Sequence, residues 1–429
     1  MKKHLFKHCL LSLALPLLWM GCIQEDYEGP DPESPSRTVL VYIAGDNNLS
    51  ELGSAVEEIR QAWTYTGNCC IVYYDAVDAP PVLLSLRGGC QVTPVPYVET
   101  IAEYPEENSA SAEVFGRVLG DVVRMYPADS YGLVYASHAT GWLPEGMLQD
   151  PDRTTVSCSL GKDYHMGTLA NGSSEMELCD FAAVIPDGQF EFIIFEACLM
   201  AGVEVVYELR DKTSPTKEEM LDFMVEVVYE LRDKTRYILA SSAELLSAGF
   251  IPVYREAFGC LMDTHSSTEE CLINFAQDYQ NYINTQNGSY RSMTLSIIKT
   301  ERLNVLATLV EKILSRPISS SFPLADMRRF DRPGFYGDYT MSPRYFDLEE
   351  FLELASSSLD YNELVKEMKE IVLWKAASPA FMAGSRGGFT IDRHCGLTTY
   401  IEQDIFPELN TAYHTIAWYR ATHSGDEPI

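Results

Sequence analysis

From Arg37 onward the chain alternates short β-rich apolar runs with stretches of helical periodicity, and this alternation restricts its fold more than any other feature. Apolar runs separated by helices favour parallel strands, and a parallel sheet must be covered on both faces. The runs are Thr38 to Ala44 (TVLVYIA), Cys70 to Asp75 (CIVYYD), Tyr131 to Ser137 (YGLVYAS), Glu191 to Phe195 (EFIIF), Tyr237 to Ser241 (YILAS) and Met293 to Ile298 (MTLSII). Amphipathic helices are expected at Leu49 to Trp63, Ala112 to Met125 and Glu301 to Leu314. The expected architecture over residues 37–315 is therefore α/β, a three-layer sandwich with a mainly parallel central sheet.

Two stretches interrupt the pattern. Between Leu143 and Gln189 the text runs to Gly, Ser, Thr, Asp and Asn, longer than a plain connection, and reads as a processed or mobile surface loop or a gating element. After Arg316, Pro317 and FDRPGFYGDYTMSPRYF lead into helical stretches Leu348 to Ala355 and Tyr361 to Leu373 and a strand pair within Gly387 to Tyr400. Residues 316–429 are accordingly expected to form a smaller C-terminal α+β subdomain packed on the first.

The segment VEVVYELRDKT occurs at Val203 to Thr213 and again at Val225 to Thr235. Two copies are too few for a solenoid, so this is a tandem duplication. The first copy follows the small pair Ala201-Gly202, which permits close approach of a helix to the sheet, whereas the second follows Phe223-Met224. The first is expected in the helix slot and residues 214–235 as a helical insertion starting near Pro215 and without a role.

Residues 1–22 carry Lys2, Lys3 and Lys7 ahead of an apolar run too short for a spanning helix, which is the pattern of a secretion signal. Gly21 before Cys22 resembles the lipobox of bacterial lipoproteins, with Trp19 where leucine is usual. The resemblance implies Cys22 as the lipidated N-terminus, residues 23–36 as a flexible acidic tether, and export to the outer membrane or cell surface, or alternatively to the periplasm. Acidic residues so soon after the cysteine are similar to the surface-export signal of the Bacteroides group. The formal charge is −30, and losing the three lysines of residues 1–21, which contain no acid, leaves −33. Such a surface repels nucleic acid and anionic membrane and attracts basic ligands. Membrane contact is expected only through the lipid, and the chain is expected to be a monomer.

Eleven cysteines are present, nine of them beyond Cys22, with no paired CxxC to make a zinc site. An odd number leaves at least one thiol to account for. In open parallel sheets chemistry gathers at the carboxyl ends of strands. His138 follows one buried run and Cys198 follows the next, so neighbouring strands would bring both to one rim. Cys198 also precedes a helical pattern, whose N-terminal dipole and a nearby imidazole would lower the thiol pKa and populate the nucleophilic thiolate. His138 would then protonate the leaving amine and activate water.

VLVYIAGDNNL, YGLVYASHATGW, FEFIIFEACLMAGVEVVYELRDKT and YILASSAELLSAGF resemble, in order, the markers of the clostripain family of cysteine peptidases, whose fold is caspase-like. The resemblance spans Arg37 to Tyr254 and continues through YFDLEEFLELA and CGLTTYI to IAWYRA. It implies His138 and Cys198 as a catalytic dyad without an obligatory third member, and peptide or protein substrates cut after Arg or Lys. Glu196, where the family commonly has Asp, and Glu244 are the implied acids for a basic side chain. Ala139, where relatives carry Gly, would offer its N–H with that of Cys198 as an oxyanion hole, strained if that turn needs positive φ. GDNN, including Asp46, is read mainly as a turn, with a contribution to the pocket open. The resemblance also implies self-cleavage in the loop between the catalytic strands, at Arg153 or Lys162. No spaced Asp and Asn run of a calcium loop is present, and neither metal nor cofactor is expected. The rival expectation is a catalytically weak relative that binds basic peptides.

Overall fold

The computed structural model describes residues 36–77, 79–144, 146–148, 158–163, 175–210, 235–316 and 323–423. Cys22 and the tether as far as Pro35, Arg153, and the second copy of the duplicate as far as Lys234 lie outside the described residues.

Strand β1 (Arg37–Ala44) is buried at every position, and its side chains divide between two cores: Val39, Val41 and Ile43 enter one, and Leu40, Tyr42 and Ala44 the other. That division, period two on a continuous apolar run, is what a strand covered on both faces requires. Besides the two-residue strands Ala380–Phe381, Phe389–Thr390 and Thr398–Thr399, the chain forms β2 (Cys69–Ala76), β3 (Ala79–Arg87), β4 (Tyr97–Glu103), β5 (Ser130–Ala136), β6 (Ala139–Pro144), β7 (Cys158–Leu160), β8 (Phe190–Glu196), β9 (Thr235–Ala240), β10 (Thr294–Lys299), β11 (Phe346–Asp347) and β12 (Val372–Ala377). Nine of them form one sheet in the order β12-β10-β9-β8-β5-β1-β2-β3-β4. The centre, from β9 to β2, is parallel, and the flanking ladders are antiparallel. Helices Ala112–Met125, Val203–Glu208 and Leu303–Leu314 pack on one face, and Ala55–Ala62, Ile251–Leu261 and Thr268–Thr285 on the other. The expected three layers are thus present.

The edges differ from the sequence expectation for local reasons. β3 carries a short run, buried over residues 83–86, directly behind the prolines Pro80-Pro81 that argue against a strand, and β4 is largely exposed and has no such run. The helix expected at Tyr361 to Leu373 is Ser358–Ile371, started by the Ser357 side chain, and the chain then extends as β12 along β10. The pair expected within Gly387 to Tyr400 does not form one hairpin. Phe389–Thr390 pairs with Ala380–Phe381, and Thr398–Thr399 pairs with β11, because β12 already fills the place beside β10. Ser34–Ile429 forms one compact unit, in which the residues beyond 316 supply a strand to the main sheet. The stretch between Leu143 and Gln189, expected to be a processed or mobile surface loop or a gating element, contains the end of β6, β7 and the helix Leu178–Val184 among its described residues.

The first copy of the duplicate supplies Val203–Glu208, and all six of its residues are buried. Its Glu204 accepts hydrogen bonds from the Tyr400 N–H at 2.8 Å and the Thr399 hydroxyl at 2.9 Å, which ties the C-terminal segment to this helix. Thr235, the last residue of the second copy, opens β9.

The pairing of β5 with β8 leaves no slack. Gly132 lies opposite Phe192, and a Cβ at Gly132 would collide with that ring. Gly132→Ala is expected to cost about 1–3 kcal/mol in urea unfolding, and Phe192→Leu in the same chain to recover part of it.

Candidate active site

Parallel pairing carries β5 and β8 to the same rim. Their register runs from Gly132 opposite Phe192 to Ala136 opposite Glu196, and the Ser137 N–H continues the ladder to the Glu196 carbonyl at 3.4 Å. His138 and Cys198 each stand two residues beyond that last pair.

Past the strands the two segments lock together through unusual backbone. Gly141 has φ +63°, and a Cβ there would stand 2.6 Å from the Leu199 carbonyl oxygen. Leu199, directly after Cys198, holds φ +61° although it is a leucine. This conformation costs on the order of 1–3 kcal/mol, and it is over-determined by its surroundings. The Leu199 N–H donates to the Ala243 carbonyl and the Ala201 N–H to the Ser241 carbonyl, both at 2.9 Å, while the leucine side chain is buried. Ala139 lies in β6 outside the left-handed region, and the strained residue of this rim is Leu199 instead, with Gly141 taking positive φ at no steric cost.

The thiol environment corrects one expectation. The helix begins only at Val203, with the turn at Leu199 between, so its N-terminus does not abut Cys198. The Leu245 N–H donates to the sulfur at 3.3 Å. Burial, and then the Glu244 carboxylate, push the thiol up to about 12, against the opposing pull of the Leu245 N–H. Burial and the charge of Lys162 bring His138 down to about 4. The resting pair is thus a neutral thiol and a neutral imidazole rather than a preformed ion pair.

His138 is held from two sides. Its carbonyl accepts from the Gly161 N–H at 2.8 Å, and its Nε2 lies 2.6 Å from Asn48 Oδ1. Asn48 belongs to the GDNN turn after β1, the strand beside β5, and sequence reasoning weighed it only as part of that turn. Asp46 of the same turn is buried and, with Asp163, adds to the burial that raises Asp75 to about 7.

The two glutamates have different surroundings. Glu196 is buried, one oxygen accepting from the Phe250 N–H at 2.7 Å and the other from the Tyr254 hydroxyl. Gly249 covers it so closely that a Cβ there would overlap the carboxylate. Burial raises Glu196 to about 7 against these hydrogen bonds. Glu244 lines a pocket of about 590 Å³ together with Leu245, Ser247, Tyr279, Tyr290 and Met382, next to Cys198 through Leu245. Its carboxylate accepts from the Tyr336 hydroxyl at 2.8 Å and pairs with the buried Arg332 at 3.3 Å, so the 330–336 segment compensates its charge. Lys162 pairs with Glu175 at 3.4 Å. Among the described residues, no His, Cys, Asp and Glu cluster is arranged to hold a metal ion, and no helix is long and apolar enough to cross a membrane.

A caspase-like sheet with a cysteine and a histidine at adjoining strand ends defines the class of cysteine peptidases. The clostripain family model matches residues 41–216 and 221–423, and the chain belongs to that family. Its structure is similar to that of an inactive zymogen C11 protease from Parabacteroides distasonis, with 24% identity and a TM-score of 0.71, covering 91% of this chain and 99% of that one. It is similar also to a secreted C11 cysteine protease from Bacteroides thetaiotaomicron solved with an irreversible peptide inhibitor, with 25% identity and a TM-score of 0.70 over 91% and 99% of the two chains. A further secreted C11 cysteine protease from Bacteroides thetaiotaomicron, iotapain, matches with a TM-score of 0.70 at 19% identity, over 91% of this chain and 100% of that one. No curated protein matches the chain. The protein is a cysteine peptidase of the clostripain family.

Two outcomes follow from the shifted groups. A carboxyl raised to about 7 in the fold binds more protons folded than unfolded, so its contribution to stability is full below about 4.5 and is lost as pH rises through 7. Glu196→Gln removes that dependence, and unfolding titrations from pH 4.5 to 8 should show a flatter slope for the variant than for the parent chain. Iodoacetamide should alkylate Cys198 slowly at pH 7, with a rate rising about tenfold per pH unit to pH 9; a preformed ion pair would instead give a plateau.

Proposed function

We propose that the chain is an exported endopeptidase that hydrolyses peptide bonds after Arg or Lys, with Cys198 as nucleophile and His138 as acid and base. The observation that carries this reading is the β5–β8 register, from which both residues emerge two positions beyond one paired rung. The imidazole takes the thiol proton as sulfur bonds to the substrate carbonyl carbon, and the N–H groups of Ala139 and Cys198 receive the developing oxyanion. Collapse breaks the C–N bond, and the imidazolium gives its proton to the leaving amine. Water, deprotonated by His138, then attacks the thioester; the acid product leaves and the thiol is restored.

With thiol and imidazole both neutral at rest, His138 takes the thiol proton only as the sulfur attacks, and a rise in imidazole basicity would speed that step. Self-cleavage at Lys162 would release the segment whose charge depresses the imidazole, and Arg153 is the other candidate site. Arg or Lys selectivity is supported by the family and by Glu244 at the pocket, with Glu196 behind Gly249 and Asp46 at the neighbouring strand end. Lipidation at Cys22 and a surface, outer-membrane or periplasmic location are supported by the N-terminal sequence, and export also by the secreted relative. The protein is read as a monomer acting on peptides and proteins, without nucleic acid as a partner. The rival reading, capture of basic peptides without turnover, is favoured by the high thiol pKa.

Dye release from Arg- or Lys-linked peptides is expected to exceed that from neutral analogues, and to fall about ten-thousand-fold or more in Cys198→Ala and in His138→Ala. Release that survives Cys198→Ala, or basic peptides that bind and are never cut, would remove this reading.

A further inference from the structure

The GDNN turn does more than reverse the chain after β1. β1 pairs in parallel with β5 up to Ile43 opposite Ala136, so the turn and His138 leave the sheet side by side. Gly45 is required there, since a Cβ would meet the Asp75 carbonyl oxygen at 2.8 Å. Asn47 then fixes the turn from within. Its amide donates to the Ala44 carbonyl at 2.7 Å and to the Lys162 carbonyl at 3.0 Å, and its oxygen accepts from the Leu49 N–H at 2.9 Å. The Ser137 hydroxyl donates to the Ala44 carbonyl at 2.9 Å and accepts from the Lys162 N–H at 3.2 Å. The end of β1, the end of β5 and the 160–163 segment are thereby fastened to one another on either side of His138 and Asn48.

A carboxamide oxygen only accepts, so the contact of Asn48 Oδ1 with His138 Nε2 at 2.6 Å requires the ring to carry its proton on Nε2. In the neutral ring the remaining lone pair is then on Nδ1, the nitrogen left to take a proton from sulfur. We infer that Asn48 is a positioning residue of the peptidase: it fixes the tautomer and the plane of His138 so that Nδ1 serves as the base. This inference rests on the reading of His138 as the acid–base group, and it adds a third member to a pair that needs none by family resemblance. The low basicity of the resting imidazole agrees with it, because a neutral ring has a tautomer to choose. Lys162 is the charged group that bears on the ring from the neighbouring segment.

The test compares Asn48→Ala with Asn48→Asp, the second of which keeps an acceptor of the same reach. In the full chain, Asn48→Ala should lower kcat about 10- to 100-fold with KM changed by less than about twofold, and Asn48→Asp should restore most of the loss. In parallel, ¹⁵N–¹H correlation of His138 in full-length Cys198→Ala protein at pH 7 should show the Nε2–H tautomer, retained with Asn48→Asp and mixed with Asn48→Ala. A tautomer that ignores Asn48→Ala, or an Asp variant as impaired as the Ala variant, overturns the inference. The tautomer is read without turnover, so a chain whose ring responds as described but never cuts peptide would sink the peptidase reading and leave the hold of Asn48 on the ring intact.

Discussion

The parallel pairing of β5 with β8 is the constraint on which the rest of the molecule depends. Strands that run the same way end at the same rim, and a fixed register gives the residues just beyond them fixed neighbours. Apolar burial on both sides enforces that register. Phe192 and Ile194 enter one core, Ile193 and Phe195 the other, and each fully buried side chain of this size contributes about 1.5–3 kcal/mol. A slip of one residue would exchange the two sets and turn Gly132 away from the Phe192 ring that needs its empty space.

The rim stores strain and places charge at some expense. Leu199 in the left-handed region and Gly141 against its carbonyl hold the chain after the cysteine away from the course a helix would take. Buried carboxyl groups surround this arrangement: Glu196 under Gly249, Glu244 paired with Arg332, and Glu204 receiving the C-terminal strand. Glu196 and Glu244 are satisfied by hydrogen bonds or a counter-charge, as burial of a carboxylate demands, whereas the second oxygen of Glu204 is buried without a hydrogen-bond partner among the described residues. The C-terminal residues are therefore part of the site, since Arg332 and Tyr336 reach the acid that raises the thiol pKa.

Much of this was legible from residue order. The central strands are continuous apolar runs, and Ala112–Met125 and Leu348–Ala355 fall where their periodicity puts them. His138 and Cys198 could be singled out because each follows such a run. The edges were less legible, because two prolines stand in front of the short apolar run of β3, β4 has no apolar run, and β12 follows directly on a helix whose periodicity masks it. The surroundings of Glu196 were not legible at all, since Phe250 and Tyr254 reach it from more than fifty positions away.

What the sequence determined by itself is the order of the central strands and their helices, the two residues on which the proposed chemistry rests, and the first copy of a duplicated segment as the one joined to the cysteine. Those are local properties, set by apolar period and by the small residues that border it. Tertiary structure alone decided the electrostatics. The same cysteine that sequence reasoning placed at a helix end is a half-buried thiol beside Glu244, and the same asparagine that read as a turn former touches the imidazole. The physical reason is that a pKa and a hydrogen bond depend on which distant segments exclude water from a group, and residue order does not state that.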